Sequence, residues 1–306
     1  MDLLPAIAKH LSSRQKVVFS GTDPGTVVTS VTVPMTLESV FASINRFEIL
    51  ASAEDSSEDN APCTFNVDRL PKPYKITASL INNVTFLKKH QKKWQRQEKT
   101  GVDKETQRKK RAKDNREREV RTKRAYGKIT AQERRHIRAH AQLPPDAPAP
   151  ALIHCIGHWQ GINSFIKGHS RRGMKRIRAQ HRVYGNVAIT NEHNSSKTCP
   201  FCFSKVILHH ARRIVGENER VVRLHGAIEC VHPKCPARRI KYTTRGRDAN
   251  AAANIALSGA SIILSSDRQP LPPFHRNANH TRYNLAKDIL SVVTPALVPR
   301  DSTREE

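Results

Sequence analysis

The sequence predicts an α/β fold interrupted by a basic helical segment and a zinc ribbon, and three observations predict it. β-Branched runs follow residue 16 and recur after residue 150, each short enough for a buried strand. Two cysteine pairs, Cys199-x2-Cys202 and Cys230-x4-Cys235, have the spacing of a four-thiolate zinc ribbon. The segment Arg247-Asp248-Ala249-Asn250-Ala251-Ala252-Ala253-Asn254-Ile255 then opens a helix with a carboxylate in its first turn.

Residues 1–14 read as a short helical lead-in. Lys16 to Gly25 is β-rich and ends in Asp23-Pro24-Gly25, good turn chemistry, and Thr26 to Val33 is a second β-branched run, so the two predict a hairpin. Asn45 to Leu50 reads as a third strand, and the acidic, serine-bearing stretch 51–60 as a surface loop. Between Lys88 and Arg138 there are 21 Lys/Arg, 7 acidic residues and no proline, which predicts long basic helices with breaks at Gly101 and near Gly127. The prolines of 144–150 end that region. Ala151 to Ile156 is a short apolar strand, residues 163–182 hold a helix, and Gly185 to Thr190 is another strand. The cysteine section covers 199–243 and the Asp248 helix runs to about Leu264. The tail contains Pro270, Pro272 and Pro273 and one helix at 284–293.

The 306 residues carry 53 Lys+Arg against 27 Asp+Glu, a net charge of +26 and a pI near 10.3. An excess of that size calls for a polyanionic partner, with nucleic acid first. Lys109, Lys110 and Arg111 in the basic segment, and Arg212 and Arg213 between the cysteine pairs, are the candidate phosphate contacts. The block 108–113 reads equally as a nuclear-import signal, which places the protein in the nucleus of a eukaryotic cell and otherwise in the cytoplasm. The N-terminus shows no secretory signal and no apolar run approaches a membrane span, so the expectation is a soluble intracellular protein.

Of six cysteines, four fall in the paired pattern, and Cys63 and Cys155 stand alone. The reading is a structural Zn²⁺ bound by Cys199, Cys202, Cys230 and Cys235, with four protein ligands and no open position. His232, inside the second pair, is an alternative ligand to one thiolate.

Three acids sit at strand or helix ends that can converge: Asp23, Glu192 and Asp248. Carboxylates from separate elements can hold two hard divalent cations, Mg²⁺ or Mn²⁺, for phosphodiester hydrolysis. Taken singly, Asp23 is also a good turn residue and Asp248 a good first-turn helix acid. Asn250 and Asn254 read as helix braces rather than ligands.

Thr22-Asp23-Pro24-Gly25, Glu192 followed by Ser195-Ser196-Lys197-Thr198-Cys199, the cysteine pairs and the Asp248 segment resemble, in that order, the transposon-encoded TnpB nucleases and their eukaryotic Fanzor relatives, kin of the miniature type V CRISPR nucleases. The resemblance implies a RuvC-type, RNase H-like mixed sheet with an inserted zinc ribbon that binds target nucleic acid. It implies catalytic roles for Asp23, Glu192 and Asp248, DNA as substrate and a guide RNA as partner. TnpB proteins usually carry the middle acid at the end of the strand matching Ala151 to Ile156, which here runs into Gly157-His158-Trp159-Gln160. Glu192 matches the alternative Fanzor position. The second cysteine pair is wider than usual, and 27 residues separate the pairs.

The implied organisation is 1–75 first part of the nuclease core, 76–150 basic helices and linker, 151–194 second part of the core, 195–243 zinc ribbon, 244–264 last core helix and 265–306 tail. The family's N-terminal guide-gripping modules have no counterpart in this sequence. Two functions follow: a Mg²⁺-dependent DNA endonuclease, or a catalytically inactive, truncated or domesticated zinc-ribbon DNA-binding protein. A strand-joining transposase is a third and weaker reading.

Overall fold

The β-branched runs Val17–Pro24 (β1) and Val28–Thr36 (β2) pair antiparallel in the computed structural model, as the hairpin reading expects. The Gly25 amide donates to the Thr29 carbonyl at 3.2 Å and closes the turn. The structure describes residues 16–25, 28–54, 65–86, 104–142, 148–159, 174–215 and 218–286, with residues 9, 92, 95 and 96 singly. Tyr74–Thr77 (β3) pairs antiparallel with β2. Ala151–Gly157 (β4) runs parallel to β1, and Asn186–Thr190 (β5) parallel to β4. The product is a mixed five-stranded sheet in the order β3-β2-β1-β4-β5.

Side-chain alternation sorts the strands onto two faces. Phe19, Val31, Val33, Ile153 and Cys155 face a helix at Arg247–Leu264, called α5 below, and one at Leu37–Glu54 (α1). Small residues let α5 lie close on the sheet: a Cβ at Gly21 would sit 1.8 Å from the Ala252 carbonyl oxygen, and one at Gly259 would sit 2.4 Å from Cys155 Sγ. The opposite face, with Ile156, packs on Ala78–Thr85 (α2), Lys104–Ala139 (α3) and Lys175–Tyr184 (α4) through Ile76, Ile81, Tyr126, Ile129 and Ile177.

A buried polar network fastens α3 to that second face. Glu133 of α3 accepts hydrogen bonds from Thr32 and, at 2.9 Å, from His181 of α4. His181 stacks on His154 with ring centroids 4.2 Å apart, and His154 Nδ1 lies 2.9 Å from Ser20 Oγ. Burial, then the neighbouring His181, Arg134 and Arg138, holds His154 well below the usual histidine range, so it packs as a neutral ring. The anchor holds only the C-terminal part of α3, and residues 115–121 are exposed on every side.

Three expectations are corrected. Residues 45–50 are helical, because Leu37, Val40, Phe41 and Ile44 bury one stripe at helical spacing and carry the β-prone residues after them into α1. Gly127 does not break the basic helix, which runs unbroken for 36 residues. Glycine costs an interior helix position about 1 kcal/mol relative to alanine, and tertiary packing around Gly127 on Tyr126 and Ile129 overrides it. No helix starts at Asn284, since Leu285 instead bridges antiparallel to Ser265. The break at Gly101, the lead-in apart from Lys9, residues 55–64, 143–147 and 160–173, and the rest of the 284–293 helix lie outside the described residues.

Between β5 and α5 a second, three-stranded sheet forms from Ile207–Val215 (β6), Asn218–Glu229 (β7) and Thr244–Gly246 (β8). The residues separating the cysteine pairs are therefore mostly a β6–β7 hairpin rather than an irregular loop. Among the described residues no helix is long and apolar enough to cross a membrane.

Candidate functional site

Each knuckle is a tight turn that presents two thiols. In the first, the Cys199 amide donates to the Ser204 carbonyl and the Phe203 amide to the Cys199 carbonyl, both at 2.9 Å, with Phe203 at φ 59°. In the second, the Cys235 amide donates to His232 at 3.2 Å and the Arg238 amide to Cys235 at 3.0 Å. The four sulfurs are buried and lie within 4.8 Å of one another. Cys199 and Cys235 are 3.8 Å apart and Cys202 and Cys230 3.5 Å. A tetrahedral Zn–S bond of about 2.3 Å puts sulfurs roughly 3.8 Å apart, so the set fits Zn²⁺ as a closed structural site. Among the described residues it is the only such group of three or more potential ligands, and His232 is not in it. Contacts with Cys202 first, then Cys230, Cys235 and the Arg245 guanidinium, shift Cys199 toward thiolate.

Cys155 is a different kind of thiol. It packs under α5 at Gly259, and burial pushes it up to about 12. Cys63 lies outside the described residues.

The acids gather at the edge where the parallel strands β1, β4 and β5 end, the edge at which open α/β sheets place ligands. Asp23 is the seventh residue of β1 and alternates with Phe19 and Gly21 onto the α5 face. Asp248 is the second residue of α5 and is exposed. Glu192 follows β5 by two residues. The carboxyl of Asp23 is raised well above the usual carboxylate range by burial first, then by repulsion from Asp248 and Glu192, with Arg247 opposing.

Glu192 is held from β4. Its Oε1 accepts the Trp159 amide at 2.7 Å, and a Cβ at Gly157 would lie 2.1 Å from the same oxygen. Arg178 of α4 fixes that loop by donating to the Gly157 carbonyl at 2.5 Å and the Trp159 carbonyl at 3.3 Å. Burial raises the Glu192 carboxyl, while the Trp159 amide, Arg178 and His158 oppose.

Asn250 and Asn254 act as braces: both donate to the carbonyls of Ser195 and Thr198, tying the turn after Glu192 to α5. Lys109 and Lys110 are exposed on α3 and Arg111 is half-buried. Arg212 and Arg213 are exposed on β6, with Arg212 3.6 Å from Glu219. Sequence reasoning missed Arg178, Trp159, Arg245 and the cationic run from Cys230 to Asp248. Residues 231–247 hold six Lys/Arg and no acid, and Lys234, Arg238, Arg239, Lys241 and Arg247 are exposed. The absence of acids there was the available signal.

No family model matches the chain, and no curated protein matches it. Among solved structures it is similar to CasPhi-2 (Cas12j) in a cryo-EM structure bound to crRNA and phosphorothioate-DNA. That similarity has a TM-score of 0.39 and 13% identity, covering 84% of this chain and 48% of the other. The chain thus spans about half the length of that protein.

Proposed function

We propose that this chain is the nuclease core of a RuvC-type, metal-dependent endodeoxyribonuclease of the TnpB/Fanzor kind, with Asp23, Glu192 and Asp248 as its acidic ligands. One observation carries the reading: Asp23, Glu192 and Asp248 stand near the end of β1, just after β5 and at the start of α5, on the edge where the parallel strands end. Three like charges brought to one edge from β1, the turn after β5 and the start of α5 make a poor solvated surface and a good dication site. The three carboxyls do not lie within ligand distance of one another as the four thiols do, but their oxygens are the ligand type that Mg²⁺ or Mn²⁺, hard ions that keep water, would take. Bound there, such ions supply water activation and stabilise the leaving oxygen. The Arg178–Trp159 clamp holds Glu192 in place.

Four thiolates holding Zn²⁺ keep the ribbon folded beside this edge. DNA is the proposed substrate and a guide RNA the second partner, with exposed cations of α3 and of the 234–247 run carrying phosphate contacts. The division into a nuclease core, a basic helical insertion, a zinc ribbon at 195–243 and a tail is part of the same proposal, as is nuclear residence in a eukaryotic cell.

The test is Mn²⁺-dependent cleavage of labelled single- and double-stranded DNA by the purified protein with its co-purified RNA, with Asp248→Ala in parallel. Cleavage that disappears in the variant supports the reading. Salt-sensitive binding with no cleavage in either protein would favour the alternative, an inactive zinc-ribbon DNA-binding protein.

A further inference from the structure

Arg245, on β8, is 5% exposed, and among the described residues no carboxylate pairs with it. A buried guanidinium needs a counter-anion and saturated donors. Its Nη2–H donates to Cys199 Sγ at 3.0 Å, its Nε–H to Asn250 Oδ1 at 2.7 Å and its Nη1–H to the Thr243 carbonyl at 3.3 Å. The cation lies 5.2 Å from the centre of the Phe201 ring. The sulfur of a candidate metal ligand thus takes the place of a paired carboxylate.

From Arg245 the contacts continue to the two segments that carry Glu192 and Asp248. Asn250, held through its Oδ1, donates from Nδ2 to the Ser195 carbonyl at 3.2 Å and the Thr198 carbonyl at 2.9 Å. Asn254, one turn on, donates to the same two carbonyls at 2.6 and 2.7 Å. Asp248 stands two residues before Asn250 on α5. Glu192 stands one turn before Ser195, whose amide donates to the Glu192 carbonyl at 3.1 Å. Cys199 directly follows Thr198. Arg245, Asn250, Thr198 and Cys199 therefore close one buried ring, made of three hydrogen bonds and the Thr198–Cys199 peptide link, with a single cation in it and the two acids on the segments that leave it.

We infer that Arg245 is a positioning residue that couples the four-thiol metal centre to the carboxylate edge. A metal ion at the thiols fixes Cys199 Sγ, the sulfur holds the guanidinium, and the guanidinium holds Asn250 and with it the spacing of Asp248 from Glu192. Emptying the thiol centre frees the sulfur and loosens both acids together. The coupling is reciprocal, so a dication on the carboxylates tightens metal binding at the thiols by the same factor. The inference rests on the reading of Asp23, Glu192 and Asp248 as dication ligands.

The experiment measures Mn²⁺ affinity of the full chain by calorimetry, with the thiol centre zinc-loaded, stripped and reloaded. Arg245→Gln and Arg245→Lys run alongside, and Co²⁺ substitution reports the thiolate centre by its absorption. Zinc-loaded wild type should bind Mn²⁺ at least about 5-fold more tightly than stripped protein, and reloading should restore it. Arg245→Gln should keep the Co²⁺–thiolate spectrum yet bind Mn²⁺ as weakly as stripped wild type. Because stripping can unfold the ribbon, a second arm follows zinc release to a chelator from intact protein. Mn²⁺ should slow that release in wild type and leave Arg245→Lys unaffected. Mn²⁺ binding that needs Asp23 and Asp248 but ignores both zinc and Arg245 overturns the coupling alone. Mn²⁺ binding that survives Asp23→Asn with Asp248→Asn overturns the carboxylate reading and the coupling with it.

Discussion

The Glu192 carboxylate fills the space that a side chain at position 157 would need. A Cβ on Gly157 would stand 2.1 Å from Glu192 Oε1 and 2.8 Å from Pro24 Cδ. Positions 155 and 157 of β4 face α5, as do 188 and 190 of β5, so alternation carries Glu192 to the same side. An acid supplied from beyond β5 thus arrives at the end of β4, where that strand has none of its own.

Gly157→Ala should therefore displace the carboxylate. A methyl group forced into a filled site costs about 1–3 kcal/mol, and Mn²⁺ affinity should fall as far as in Glu192→Ala. In a Glu192→Ala background the same methyl should cost less, because the two nearest clashing atoms are gone while Pro24 Cδ stays at 2.8 Å. Urea denaturation of the four proteins gives the coupling energy. Equal cost in both backgrounds would mean that the glycine serves Pro24 or the backbone, not Glu192.

Asp23 makes the metal-free protein less stable as pH rises. Burial, then Asp248 and Glu192, raise its folded value above the unfolded one, so the folded state binds the extra proton and the charged form is penalised. The penalty is absent below the ordinary aspartate range, where both states are protonated. It develops as pH rises through the interval up to the raised folded value and is complete above it. Asp23→Asn should accordingly raise the thermal midpoint of the metal-free protein at pH 7 and change it little near pH 3. Saturating Mn²⁺ should stabilise wild type and not the variant. A lower midpoint for Asp23→Asn at neutral pH would show that the charge is compensated.

The two kinds of buried cysteine should separate under metal analysis. Cys230→Ala removes one of four sulfurs and should abolish stoichiometric zinc and cost several kcal/mol, a fraction of the roughly 10–16 kcal/mol that zinc contributes to small zinc-finger peptides. Cys155→Ala should leave zinc content unchanged, since Cys155 touches α5 rather than the thiol cluster and burial keeps it protonated. Atomic absorption on both variants decides it, and zinc loss in Cys155→Ala would contradict the assignment of ligands.

What was legible in the sequence is what local chemistry determines. Gly25, directly after Pro24, ends β1 and opens the β1–β2 hairpin, cysteine spacing gathers four sulfurs, and the small residues after Asp248 specify a helix that can lie on a sheet. The segment 45–50 misled because its own residues favour a strand, while the stripe that decides its state begins at Leu37. Arg178 and Arg245 were hidden for another reason: among 53 Lys+Arg nothing local marks the few that turn inward. The meeting of Glu192 with Gly157 depends on β4 and β5 pairing in parallel, Gly157 opposite Thr190, a long-range fact that no window of residues contains.

The two ends of α3 should respond differently to the loss of charge. Lys109 and Lys110 stand on its exposed N-terminal part, and the Lys109–Glu105 pair at 3.2 Å is 80% and 77% exposed, a geometry that contributes little to stability. Arg134 lies on the anchored end, buried, with its guanidinium 4.2 Å from the Tyr184 ring. Lys109→Ala with Lys110→Ala should leave the unfolding midpoint unchanged and weaken duplex DNA binding. If both lysines meet phosphates, the slope of log affinity against log salt should flatten by about 0.9 for each. Arg134→Ala should lower stability by about 1–2 kcal/mol through the lost cation–π contact and packing. An unchanged salt slope in the double lysine variant would remove the projecting helix from the nucleic-acid interface and leave the 234–247 run as the surface to substitute next.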